Sequence, residues 1–180
     1  MPPYPIRPSR ACRSGLLVLV FCLLATACQH PPTDDAARAQ RINELFAGYR
    51  QDFPDVPEMA PAAALSLWRE GKAVFIDARS DAERAVSTLP GAVTVEQFTA
   101  DPGRYAGKTA VAYCTIGYRS GLLTRKLNRQ GLAVANLEAG LLGWLHAGGT
   151  LVDAAGAPTR RVHVYGRTWD LAPLAYTAVW

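Results

Sequence analysis

Ala110-Val111-Ala112-Tyr113-Cys114-Thr115-Ile116-Gly117-Tyr118-Arg119-Ser120 is the stretch that decides how this chain is read. An apolar run ends in a cysteine, a short turn containing a glycine follows, and a helical pattern begins. That order is a buried strand whose carboxyl end delivers a thiol to a turn and then to a helix N-terminus. Successive backbone N–H groups of such a turn can face one point, and the helix start adds its partial positive charge there. A sulfur at that focus is expected in the thiolate form, which is the nucleophilic one. The alternative is an inert core cysteine, the usual fate of an unpaired thiol. The Gly-containing loop after Cys114 argues against simple core filling.

Strand and helix signals alternate on both sides of this stretch. Asp34 or Asp35 can cap a helix running to about Tyr49, with Ile42, Leu45, Phe46 and Tyr49 on one apolar face. Pro54 and Pro57 read as the start of a linker. Pro61 suits a first helical turn, Leu65, Leu67 and Trp68 supply its apolar side, and Gly71 ends it. Val74-Phe75-Ile76 reads as a buried strand, Ser80-Asp81-Ala82-Glu83 as a helix start, and Pro90-Gly91 as a turn. Residues 92–95 read as a strand, 96–105 as a helix, 120–130 as a helix with Leu122, Leu123 and Leu127 inward, 132–135 as a strand and 140–147 as a helix. Short apolar strands alternating with helices imply an α/β fold, a central parallel sheet flanked by helices on both faces. In such sheets ligands sit beyond the carboxyl ends of the strands, where Cys114 is expected.

The first 27 residues read as export machinery rather than fold. Arg7, Arg10 and Arg13 form a basic start, Leu16 to Leu24 is unbroken apolar sequence, and Ala25-Thr26-Ala27 leads to Cys28. The apolar run is too short to span a bilayer. Small residues directly before a cysteine resemble the lipobox of bacterial lipoproteins. The resemblance implies lipid on Cys28, a membrane anchor and a cell-envelope location, with Gln29 pointing to the periplasmic face of the outer membrane. Ordinary cleavage to a soluble exported protein is the alternative. Removing this segment takes away three Arg and no acid, so the net charge of +4 falls to +1 and no nucleic-acid footprint remains. Cys12 and Cys22 leave with it, and Cys114 stays as the one free thiol, so no internal disulfide is expected. The domain plan is a signal peptide at 1–27, a tether and amphipathic helix at 28–55, a main domain at 56–152 and an extension packed on that domain at 153–180.

Three blocks between about Val56 and Val152 resemble a single rhodanese-like domain. Ile76-Asp77-Ala78-Arg79, then Glu83, then Leu89-Pro90-Gly91-Ala92 is similar to the family's Asp-Val-Arg, Glu-Tyr and His-Ile-Pro-Gly-Ala. Tyr113-Cys114 through Ser120 is similar to its Cys-x-x-Gly-x-Arg-Ser loop. Asn136-Leu137-Glu138-Ala139-Gly140 with Trp144 is similar to its Leu-x-Gly-Gly and Trp. Thr88 stands where the family has His, Ser87 and Ala139 where it has Gly.

The resemblance implies sulfurtransfer. Cys114 would take the outer sulfur of a donor such as thiosulfate as a persulfide and pass it to cyanide, a low-molecular-weight thiol or an acceptor protein. Ping-pong kinetics follow. N–H groups from Thr115 through Ile116, Gly117, Tyr118, Arg119 and Ser120 would hold the anionic sulfur, with Gly117 permitting the turn and Arg119 offering a positive charge. Asp77 and Arg79 are expected as a structural pair near the base of the site, and Glu83 as a helix-start acid. His30, His146 and His163 have no metal-ligand spacing, and neither metal nor cofactor is expected. Two other functions compete: a persulfide carrier or sensing module without turnover, and a phosphate or arsenate enzyme. The latter use one more residue than the six of Cys114 to Arg119. The 153–180 segment, with Tyr165, Trp169, Tyr176 and Trp180, reads either as a lid shaping access to Cys114 or as an extension packed over the core.

Overall fold

A computed structural model describes residues 32–180, which form one compact unit. The segment read as a signal peptide, Cys28 and the start of the expected tether lie outside the described residues. Five parallel strands make the central sheet: β1 Glu58–Met59, β2 Ala73–Asp77, β3 Val93–Thr94, β4 Thr109–Tyr113 and β5 Val134–Leu137. Their spatial order is β1-β5-β4-β2-β3, so β4, which leads into Cys114, lies at the centre. Asp77 at the end of β2 stands in register with Tyr113 at the end of β4.

The strand alternation divides the core into two layers. Phe75, Val111 and Tyr113 face helices α1 Asp35–Tyr49, α2 Pro61–Arg69 and α6 Gly140–His146. Val74, Ile76, Ala110 and Ala112 face the other way, toward α4 Val95–Ala100 and α5 Tyr118–Arg129. The short α3 Asp81–Val86 follows β2 and opens on a full capping box between Ser80 and Glu83. The expected α/β architecture, a parallel sheet with helices on both faces, is the one observed.

Three local readings shift. Residues 92–95 contribute only Val93–Thr94 to the sheet, because Thr94 and Gln97 exchange side-chain to backbone hydrogen bonds of 2.8 and 3.2 Å and turn Val95 into the first residue of α4. The strand read at 132–135 begins at Val134, since the Asn128 amide bonds both N–H and C=O of Val134 and holds the preceding residues as a loop. Helix α5 buries Ser120, Gly121, Thr124 and Leu127, while Leu122 and Leu123 are half-buried. Its small residues admit the Phe53 ring, which lies 2.5 Å from where a Cβ on Gly121 would sit.

That contact also corrects the linker around Pro54 and Pro57. Phe53 and Val56 are fully packed core residues, and α1 places Ile42 and Phe46 in the same core. The extension after Val152 joins the core as well. A hairpin pairs β6 Leu151–Val152 with β7 Pro158–Thr159, and β8 Arg161–His163 runs parallel to β9 Thr177–Val179. Val162, Val164, Leu171 and Ala172 are buried. Among the described residues no helix is long and apolar enough to cross a membrane.

Candidate active site

Cys114 leaves the end of β4 and sits at the floor of a pocket of about 370 Å³. The residue is 1% exposed, so its sulfur is reached only through that pocket. The Gly117 N–H donates to Sγ at 3.2 Å. Gly117 makes this possible with a φ of 90°, a left-handed conformation that side chains resist, and it serves as the N-cap of α5. The amides of Tyr118, Arg119 and Ser120 follow as the first turn of a 12-residue helix, where N–H groups have no partner within the helix. The loop therefore brings one amide donor and a helix N-terminus to the sulfur.

A second helix start holds the loop from behind. The Leu141 and Leu142 N–H groups of α6 donate to the carbonyls of Cys114 and Thr115 at 2.8 and 3.1 Å. Gly140 allows the approach: a Cβ there would stand 2.4 Å from the Cys114 carbonyl oxygen and 2.8 Å from the Gly117 nitrogen. From the opposite side Phe46 of α1 presses on Gly117, whose Cβ would meet its ring at 2.6 Å.

The loop residues expected at the site take different positions. Thr115, Ile116, Tyr118 and Arg119 line the pocket beside Cys114. Gly117 contributes its N–H. Ser120 does not reach the pocket; it is buried and donates to Asn136 Oδ1 at 2.6 Å. Asn136 in turn donates to the Gly117 carbonyl and to Glu58 Oε2, both at 3.1 Å, so a polar chain braces the loop from beneath. Arg119 forms a two-pronged pair with Glu83, 2.8 and 2.6 Å, and also donates to the Thr115 hydroxyl at 3.3 Å. Burial pushes the Glu83 carboxyl up, but the Arg119 fork, the Ser80 N–H and the Arg119 charge outweigh it and hold the group down at about 2. Glu83 raises Arg119 in return, and the nearby Cys114 sulfur adds to that.

Asp77 and Arg79 form an ion pair. Both are buried, the guanidinium Nη2 lies 2.7 Å from Asp77 Oδ2, and Nη2 also donates to the Ser87 carbonyl. Asp77 additionally accepts from the hydroxyls of Tyr113 and Thr88. Burial and then the Asp77 charge push the Tyr113 phenol well above its ordinary range, so it remains a neutral donor. Thr88 thus closes a network directly under the strand end that carries Cys114, and its backbone bridges to Val152.

The rest of the mouth comes from outside the domain read at 56–152. Tyr49 of α1 lines the pocket, and so do Tyr165 and Trp169 of the extension. Tyr49 carries helical core spacing, and that pattern alone does not distinguish a core face from a pocket wall. The Tyr165 ring lies 4.8 Å from the Arg119 guanidinium. The extension is therefore both a core element and a wall of the site. His146 ends α6 and bonds the Leu171 carbonyl, away from the cysteine loop.

The model of the rhodanese-like domain matches residues 60–147. An uncharacterized protein of Synechocystis sp. is 29% identical over 104 residues, which is 56% of this chain and 58% of that protein. A thiosulfate sulfurtransferase from Pseudomonas aeruginosa is 25% identical with a TM-score of 0.49, over 64% of this chain and 23% of that chain. A protein of unknown function from Rhodopseudomonas palustris, named a possible tyrosine phosphatase, is 26% identical with a TM-score of 0.44, over 67% of this chain and 96% of its own. Residues 60–147 are thus what is similar to a rhodanese-like domain, and Cys114 lies inside that stretch.

Proposed function

We propose that this protein is a sulfurtransferase that carries sulfane sulfur as a persulfide on Cys114. The Cys114 thiolate attacks the outer sulfur of a donor; a new S–S bond forms as the donor's own S–S bond breaks, and the leaving group departs with the electron pair. With thiosulfate that group is sulfite. A nucleophile such as cyanide or a thiol then attacks the outer persulfide sulfur and returns the Cys114 thiolate. The observation that carries this reading is the Gly117 N–H directed at Sγ at the floor of an open pocket. An amide already aimed at the sulfur, beside a helix N-terminus, suits a reaction whose intermediate is an anionic sulfur and needs no general base.

Arg119 serves this reading as a fixed wall rather than a free cation, because Glu83 occupies its fork. Phosphate chemistry fits less well: the loop is one residue shorter than in those enzymes, and aromatic and aliphatic side chains surround the sulfur. Lipid on Cys28 would hold the enzyme at a membrane surface of the cell envelope, its acceptor a small thiol or a partner protein.

A cyanide-coupled assay tests the proposal. The expected result is parallel double-reciprocal lines as donor and cyanide are varied, with turnover abolished in Cys114→Ser. Turnover that survives in Cys114→Ser would overturn it. A Cys114 persulfide that forms but does not turn over would instead identify a carrier.

A further inference from the structure

The pocket above Cys114 is built for more than an inorganic anion. Of the side chains that line it, Arg119 alone is charged, and its charge is met by the Glu83 carboxylate at 2.6 Å. A doubly charged donor entering such a mouth gives up water without gaining an unpaired cation, which is costly. The walls offer a different chemistry. Tyr49 and Tyr118 stand with ring centroids 5.4 Å apart, Tyr165 and Trp169 5.5 Å apart, and Ile116 joins them in the lining. The volume of about 370 Å³ falls within the range of small organic-ligand sites, roughly 300–1,000 Å³.

Tyr165 is held in this position at a conformational cost. Its φ is 69°, in the left-handed region that a bulky residue adopts only under constraint. The constraint is next door: Val164 is fully buried and donates to the Val179 carbonyl of β9 at 2.9 Å. The strained residue keeps its ring against Arg119 while remaining 58% exposed. Tyr49, Tyr165 and Trp169 all lie outside residues 60–147, so the aromatic mouth is an addition by the flanks of this chain.

We infer that the sulfur donor is an organic sulfane compound with an apolar, aromatic-sized body, a thiosulfonate or organic persulfide, in preference to inorganic thiosulfate. The inference rests on the sulfurtransferase reading and names the substrate class for it. With a thiosulfonate, R–SO2–S⁻, the Cys114 thiolate bonds to the terminal sulfur, the bond to the sulfonyl sulfur breaks, and R–SO2⁻ leaves as sulfinate with the electron pair. The terminal sulfur keeps its own negative charge as the Cys114 perthiolate, the charge of the attacking thiolate leaves on the sulfinate, and no proton, oxidant or reductant is required. With an organic persulfide the leaving group is the thiolate R–S⁻. In both, R rests between the aromatic pairs while the sulfane sulfur reaches the Gly117 N–H.

Three donors separate charge from body: thiosulfate, methanethiosulfonate and benzenethiosulfonate, each assayed for kcat/KM with cyanide on the full chain and normalised to its reaction with free cysteine. The normalised value for benzenethiosulfonate should exceed that for methanethiosulfonate by about tenfold or more. That ratio should fall several-fold in Trp169→Ala and in Tyr165→Ala; the second substitutes an exposed residue and guards against misfolding of the first. Equal normalised values for the two thiosulfonates, or a ratio unmoved in both folded variants, would overturn the inference while leaving the sulfurtransferase reading intact. Failure of all three donors to load Cys114 would overturn that reading, and this inference with it.

Discussion

Glu58 is the residue whose setting has the plainest consequence. Its carboxyl is 6% exposed, bonded by the Asn136 amide at 3.1 Å, with the Arg50 guanidinium 3.8 Å away. Burial pushes it up to about 7, against the Asn136 bond and the Arg50 charge, with Glu138 adding to the rise. The folded state therefore binds this proton more tightly than the unfolded chain does. The stability it contributes is complete below the ordinary value of 4.5 and is lost as pH rises through about 7. Glu58→Gln removes the ionisation and keeps an acceptor for Asn136. Its denaturation midpoint should match wild type near pH 4 and exceed it near pH 8 by the equivalent of about 1–3 kcal/mol. Curves that run parallel across that window would contradict this setting for the carboxyl. Single residues were unevenly legible in the sequence. Asp77 and Arg79 sit two apart, and their buried pairing could be read. The pairing of Arg119 with Glu83 could not, because it joins residues 36 apart through the packing of two helix starts. A cation in sequence carries no sign of which anion will claim it.

Among the elements, the two helix starts that meet at the cysteine loop depend on one glycine. Gly140 has a φ of 56°, and a Cβ there would lie 2.4 Å from the Cys114 carbonyl, a backbone atom that cannot swing aside. Gly140→Ala should lower stability by about 2–4 kcal/mol. It should also slow sulfur loading of the folded fraction by displacing the carbonyls that Leu141 and Leu142 now hold. Loading by the folded variant at the wild-type rate would show that the α6 contact does not position the loop. Helix α6 could be read from Leu141, Trp144 and Leu145, but the reason it begins where it does lies in the loop across from it. The β5 shift has a similar origin, since the Asn128 side chain decides the start of the strand from the preceding helix. Strand β1 is two residues long, too short for any periodicity to show.

Across the whole molecule, the flanks decide the site's character. The α/β plan followed from strand and helix alternation, because a parallel sheet buried on both faces leaves continuous apolar runs in sequence. The apolar face of α1 and the aromatic residues of 153–180 allowed packing on the central domain to be read, whereas the burial of Phe53 was not visible, since it stands among Gln51, Asp52, Pro54 and Asp55. At this scale Cys28→Ala should release the protein from membrane to soluble fractions, read by fractionation of cells expressing the full chain. Unchanged membrane association would rule out the anchor.

The most direct test of the central claim is the intact mass of the full chain after exposure to a sulfane donor with acceptor withheld. The account predicts a gain of one sulfur atom located to Cys114, removed by cyanide and absent in Cys114→Ser. No gain with any donor, or a gain that persists in Cys114→Ser, would contradict it.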